Sequence, residues 1–159
     1  MALTLTDAAS SLVYWLQNNA NATAIRALIY DGATNVLEAG DLNADMLATA
    51  QTARRTAGET DKALYLTVHD AGEEGDVQHV ILRVFDRDRG YRNLRAVRDA
   101  LIAAIDEDFF LAGVTAGGKM IGFLHWAFVG RTGYRRSVEY AADFEAITYS
   151  ALLVREEED

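Results

Sequence analysis

Two alternating apolar stretches, "ALYLTVHD" (63–70) and "DVQHVILRVFDRD" (76–88), flank the polar turn "AGEEG" and run almost directly into a helical stripe at 91–106. This order of strand, turn, strand and helix constrains the fold more than any other part of the chain. Side chains of a strand alternate between two faces, so each strand here has an apolar face that needs a cover. A lone hairpin is at best marginally stable in water. The cover lies next in sequence: Leu94, Val97, Leu101 and Ile105 form one apolar stripe, while Arg92, Arg95, Arg98 and Asp99 are expected on the other faces.

Other segments add to that unit. Ala9, Leu12, Val13 and Leu16 predict a helix over 7–17, capped by Thr6 or Asp7, with "NNANAT" as its exit loop. "AIRALIYDGATNVLEAGD" (24–41) reads as a strand, a turn at "DGATN" and a second short strand. Asn43 is expected to cap a helix over 44–56, and "MIGFLHWAFVGR" (120–131) reads as an aromatic-rich strand. In 137–154 both periods fit: Val138, Tyr140, Ala142 and Phe144 alternate, whereas Tyr140, Phe144, Ile147 and Ala151 follow a helix. A long, partly exposed strand is the expectation. About four main strands, two to three helices and an additional β-hairpin are expected. One domain is expected over 1–159, with 154–159 as a flexible acidic tail. The chain has no proline, so Gly, Asn and Asp must shape its turns.

Charge and residue usage exclude several functions. The formal net charge is −9, opposite to that of a free-standing DNA binder, whose affinity comes from Lys and Arg. Without cysteine there are neither disulfides nor thiolate metal sites. The start "MALTLTDAAS" lacks a signal-peptide pattern, and the most apolar run, 120–130, is far below the ~20 residues of a membrane span. A soluble chain with no membrane role is expected.

"GVTAGGKM" (113–120) nearly matches the phosphate-binding pattern G-x-x-x-x-G-K-[ST], with Gly113, Gly118 and Lys119 in place. Met120 stands where the magnesium-holding hydroxyl belongs, and a β-leaning aromatic stretch follows where a helix is required. A glycine turn is the better description. The carboxylates of "DAGEEGD" (70–76) lack calcium-loop spacing and read as a charged hairpin tip. "DED" (106–108) would sit badly at a helix C-terminus, so the helix is expected to end early. His69 and His79 could lie near each other on the hairpin, but no third ligand is spaced with them. No serine sits in a nucleophile elbow, and no catalytic group has a base and an orienter. Neither catalysis nor a cofactor or metal is expected.

Charge distribution is more informative. "RVFDRDRGYRNLRAVR" (83–98) holds six of the thirteen arginines, and "GRTGYRR" (130–136) is a second basic stretch. Either the first is a solvated helix face, or Arg87, Arg89 and Arg92 pair with acidic surface on another copy. In an otherwise acidic chain such a head-to-tail contact would be self-complementary. Candidate contact residues are thus Arg87, Arg89, Tyr91, Arg92, Arg131, Arg135 and Arg136.

The order of an N-terminal helix, "ALYLTVHD", "VQHVILRVFDRD", "NLRAVRDALIAAID", aromatic strands and a final "DFEAITYSALLV" resembles the tail terminator, or tail completion, proteins of long-tailed bacteriophages, the group of the lambda minor tail protein U. The correspondence is closest over 63–106. "NVLEAGDLNADMLATAQTARRTAGETD" (35–61) and "GVTAGGKM" depart from it. The resemblance implies an α+β fold, a mixed or antiparallel sheet flanked by helices, and a homohexameric ring at the head-proximal end of the tail tube, located in the virion and assembled in the host cytoplasm. Its partners would be the tail tube protein and a head-completion or neck protein, and DNA would pass through the lumen without specific binding. Acid-lined walls suit that passage. Alternatives are a head-closure or head–tail joining protein of the neck, or a small enzyme built on the P-loop-like stretch.

Overall fold

The computed structural model describes residues 7–87, 91–114 and 120–155. Helix α1 (Ala8–Asn18) opens at Asp7, whose carboxylate accepts a hydrogen bond from Ser10 N at 2.7 Å. It buries Leu12 and Leu16 completely. The strand expected from Ala24 onward is instead a short helix, α2 (Thr23–Arg26). The reason lies in Arg26, which donates from Nη1 to Leu16 O (2.7 Å) and Asn19 O (2.9 Å) and so closes the open end of α1. Extended pairing is reduced there to one parallel bridge, Ile29 with Ala63. The second short strand does form, as β1 (Val36–Glu38).

Helix α3 (Ala44–Ala57) begins at Asn43, which caps Met46 N at 2.9 Å, and stops where Gly58 turns left-handed at φ 74°. The hairpin follows as β2 (Tyr65–Glu74) and β3 (Val77–Asp86), and then helix α4 (Tyr91–Ala104). Its strands run deeper into the tip than expected, leaving a turn at Gly75 and Asp76. Helix α4 stops before "DED", where Asp106 caps Asp108 N at 3.0 Å. The remaining strands are β4 (Leu111–Val114), β5 (Met120–Arg131), β6 (Arg135–Ser137) and β7 (Ala142–Arg155). The final segment is thus a strand. Because β7 reaches Arg155, the tail expected from 154 loses its first two residues to the sheet, and 156–159 lie outside the described residues.

Seven strands form one mixed sheet in the order β1-β2-β3-β7-β5-β4, with β6 alongside the start of β7. About four had been expected. The members not expected are the short edge pieces β4 and β6, whose four and three residues carry little periodicity. Among the described strands only the β1–β2 pairing is parallel. Strand β7 is flanked on both sides, pairing Leu82 with Ile147 toward β3 and Phe123 with Leu153 toward β5.

The two sheet faces have different covers. Leu66, Val68, Leu82, Val84, Ile147 and Tyr149 face α1 and α4 in the main core, against Leu12, Leu16, Leu94 and Leu101. Their neighbours Tyr65, Phe85 and Phe144 point the other way and meet Leu47 and Ala50 of α3. Helix α3 covers only that end of the second face. Further along, His69 is exposed and His79, Arg83, Thr148 and Ser150 are half-buried. This explains the burial of 65–68 without alternation: helices cover both faces there.

Candidate functional site

Buried charge sits where β3 hands over to α4. Asp86 and Asn93 are buried, and Arg54 of α3 reaches them from the opposite face. The Arg54 guanidinium pairs with the Asp86 carboxylate and donates to Lys62 O and Arg87 O, each at 2.7 Å. Asn93 Nδ2 donates to the second Asp86 oxygen at 2.8 Å, and Arg87 N to the first at 2.6 Å. Burial pushes the Asp86 carboxyl above the usual range, while the bonds from Arg54, Asn93 and Arg87 pull it back. This network fixes the angle at which α4 leaves the sheet. Its members come from three separate segments with no shared spacing, so sequence reasoning missed Arg54 and Asn93.

Arg87 belongs to the same interior. Its Nη2 donates to Tyr140 O at 2.8 Å and Ala44 O at 3.4 Å, and Nη1 to Gln51 Oε1 at 3.5 Å. The side chain therefore ties α3 to the turn before β7. Arg98 was expected on a polar face and is instead buried, bonding Glu145 of β7 at 2.9 Å. Its spacing carried the signal: four residues past Leu94 and three before Leu101, it lies on the apolar stripe itself.

The other arginines lie outside. Tyr91 opens α4 and is exposed, with the Arg95 guanidinium 4.1 Å over its ring. That neighbour holds the Tyr91 hydroxyl below its usual range, by hydrogen bonding and then by charge. Tyr134 meets Tyr91 edge-on at 6.1 Å. It belongs to the link between β5 and β6, which turns at Gly133 (φ 69°) and is pinned to β7 through Thr132, whose N donates to Ala146 O at 3.0 Å and whose hydroxyl accepts from Ala146 N at 3.1 Å. A hydrogen bond with Asp143 pushes the Tyr134 hydroxyl up.

The Tyr91–Tyr134 contact thus joins the two basic stretches, about 40 residues apart in sequence, into one surface. Arg92, Arg131, Arg135 and Arg136 are all exposed. Arg136 reaches Asp143 at 3.2 Å, and Arg135 bonds the neighbouring Tyr134 carbonyl at 3.0 Å. Val138, 93% exposed, stands beside them. Arg89 lies outside the described residues.

"GVTAGGKM" has the wrong context for phosphate binding. Gly113 is in β4, Met120 opens β5, and Val114 pairs with Met120 across an antiparallel ladder. A strand, not a helix, follows the glycines; 115–119 lie outside the described residues. Gly122 admits the Phe110 ring, which a Cβ would meet at 2.8 Å. Among the described residues no three His, Asp or Glu side chains converge as a metal site, and no helix is long and apolar enough to cross a membrane.

No family model and no curated protein matches the chain. A solved structure does: a chain in the virion of a native gene transfer agent (GTA) particle superposes with a TM-score of 0.54 at 16% identity. The match covers 92% of this chain and 94% of that one, so the two share a fold from end to end.

Proposed function

We propose that this chain is a structural virion protein of the phage tail terminator type, acting as a ring of copies at the head-proximal end of the tail tube. The observation that carries this is the end-to-end likeness in fold to a chain of a gene transfer agent virion. The exposed arginine and tyrosine surface around Tyr91 and Tyr134 supports it, because a closing ring needs two different complementary patches on each subunit.

In this scheme Arg92, Arg131, Arg135 and Arg136 make contacts between copies or with the tube. Arg87 serves inside the subunit, holding α3 against β7. One end of the ring meets the tail tube protein and refuses another tube subunit; the other end receives the head-completion or neck protein. Each copy brings a net charge of −9, so the lumen repels phosphate and lets DNA slide without binding. Assembly takes place in the host cytoplasm and ends in the virion.

Deleting the gene from its phage tests this. Tails of uncontrolled length are the expected outcome. Tails of normal length that fail to join heads would replace the terminator with a head-closure protein.

A further inference from the structure

If copies meet head to tail through the arginine surface, the opposite flank must hold a receptor for it. An open cavity of about 460 Å³ lies between α3 and the 30–35 turn, walled by Tyr30, Asp31, Asp45, Met46, Ala50 and Tyr65. Asp31 and Asp45 are exposed, and among the described residues neither side chain has a cationic partner. Asp31 holds a left-handed conformation (φ 61°) at the turn. Tyr65 is only 7% exposed, lines the cavity, and has no hydrogen-bond partner for its hydroxyl among the described residues. Burial and then the Asp31 charge push that hydroxyl above its usual value.

Carboxylates beside aromatic rings and an unpartnered phenol oxygen suit a guanidinium, which pairs with carboxylate, lies on aromatic faces and donates several hydrogen bonds. The sheet register gives its source. Tyr65 stands opposite Phe85, Phe85 opposite Phe144, and Phe144 opposite Arg135. Residues so paired project from one face of the sheet, and three strand spacings of ~4.8 Å separate Tyr65 from Arg135 by about 14 Å. Arg135 lies on β6, an edge strand, and the cavity lies on the other flank, beside β2. A copy displaced sideways across the strands brings the Arg135 edge of one subunit toward the cavity of the next, with neither inverted. That is a heterologous contact.

We infer that this cavity is the acceptor for the neighbouring copy, Arg135 entering between Tyr30 and Tyr65 to pair with Asp31 and Asp45. The inference rests on the ring proposed above. It names the residues on both sides of the contact.

A charge exchange tests it on the full chain. Asp31→Asn with Asp45→Lys alters the cavity, since Asn tolerates the left-handed turn; Arg135→Glu alters the group that enters it. Light scattering should show each variant alone needing at least about tenfold more protein than the unmodified chain to assemble, as lost charge pairs at a contact predict. Mixed one to one, the two should assemble again, because each supplies what the other lost. Tyr65→Phe, which keeps the ring and the fold, should weaken assembly several-fold and serves if the charge variants fail a thermal-melt control. Variants that assemble as well as the unmodified chain, or a mixture that stays apart, overturn the cavity while leaving the ring in place. An unmodified chain that never self-associates removes both.

Discussion

Arginines of this molecule fall into two groups that the sequence presents alike. Arg54, Arg87 and Arg98 turn inward and bond Asp86, backbone carbonyls and Glu145. Arg92, Arg131, Arg135 and Arg136 turn outward around two tyrosines. The first group fixes helices to the sheet; the second stays in solvent on the surface. Arg87 and Arg92 stand five residues apart, yet one ties α3 to β7 and the other faces solvent. Basic density in a sequence therefore says little about a surface until the fold has taken its share.

The comparison breaks most readily at Asp86. Replacing it with Ala leaves Arg54 buried without its counter-charge, and urea unfolding should show a loss of about 3–5 kcal/mol. A loss below about 1 kcal/mol would mean that the interior group is not structural. Arg98→Met strands Glu145, whose second carboxylate oxygen already lacks a partner, and should cost about 2–3 kcal/mol.

Tyr149 sharpens the picture with a neutral buried group. Its hydroxyl has no partner among the described residues, and burial pushes its pKa up to about 12 from an ordinary 10.0. Above pH 10 the unfolded chain gives up this proton before the folded one, so stability falls as pH rises from 10 toward 12. Tyr149→Phe should remove that fall, gaining up to about 2 kcal/mol over the parent near pH 12, while changing stability by less than ~1 kcal/mol at neutral pH. Parallel pH curves for the two proteins would refute it. The smallest effect on stability belongs to the outward group: Arg131→Glu with Arg135→Glu should shift unfolding by less than ~0.5 kcal/mol per site. A larger shift would place these arginines with the interior set.

Much of the scaffold was legible because it is periodic or capped. The hairpin, the stripe of α4 and the caps Asp7 and Asn43 each state a local rule that packing obeys. The segment at 24–41 failed because Arg26 closes the end of α1, a tertiary bond that overrides a β-leaning run. The short edge strands β4 and β6 were hidden for want of length. At the candidate surface, exposure of Tyr91 and of the second basic stretch agrees with what the residues suggested, but their meeting through Tyr134 depends on the β5–β6 turn. The Asp86 network could not be read at all, since Arg54, Asp86 and Asn93 converge only once α3 has crossed the sheet.

The most direct measurement is the mass of the unmodified protein in solution, by light scattering at rising concentration, alone and with purified tail tubes. Closure into a ring of six predicts a discrete species at six times the 17.5 kDa chain, appearing at high concentration or on tube ends. A 17.5 kDa particle at every concentration, indifferent to tubes, would contradict the account.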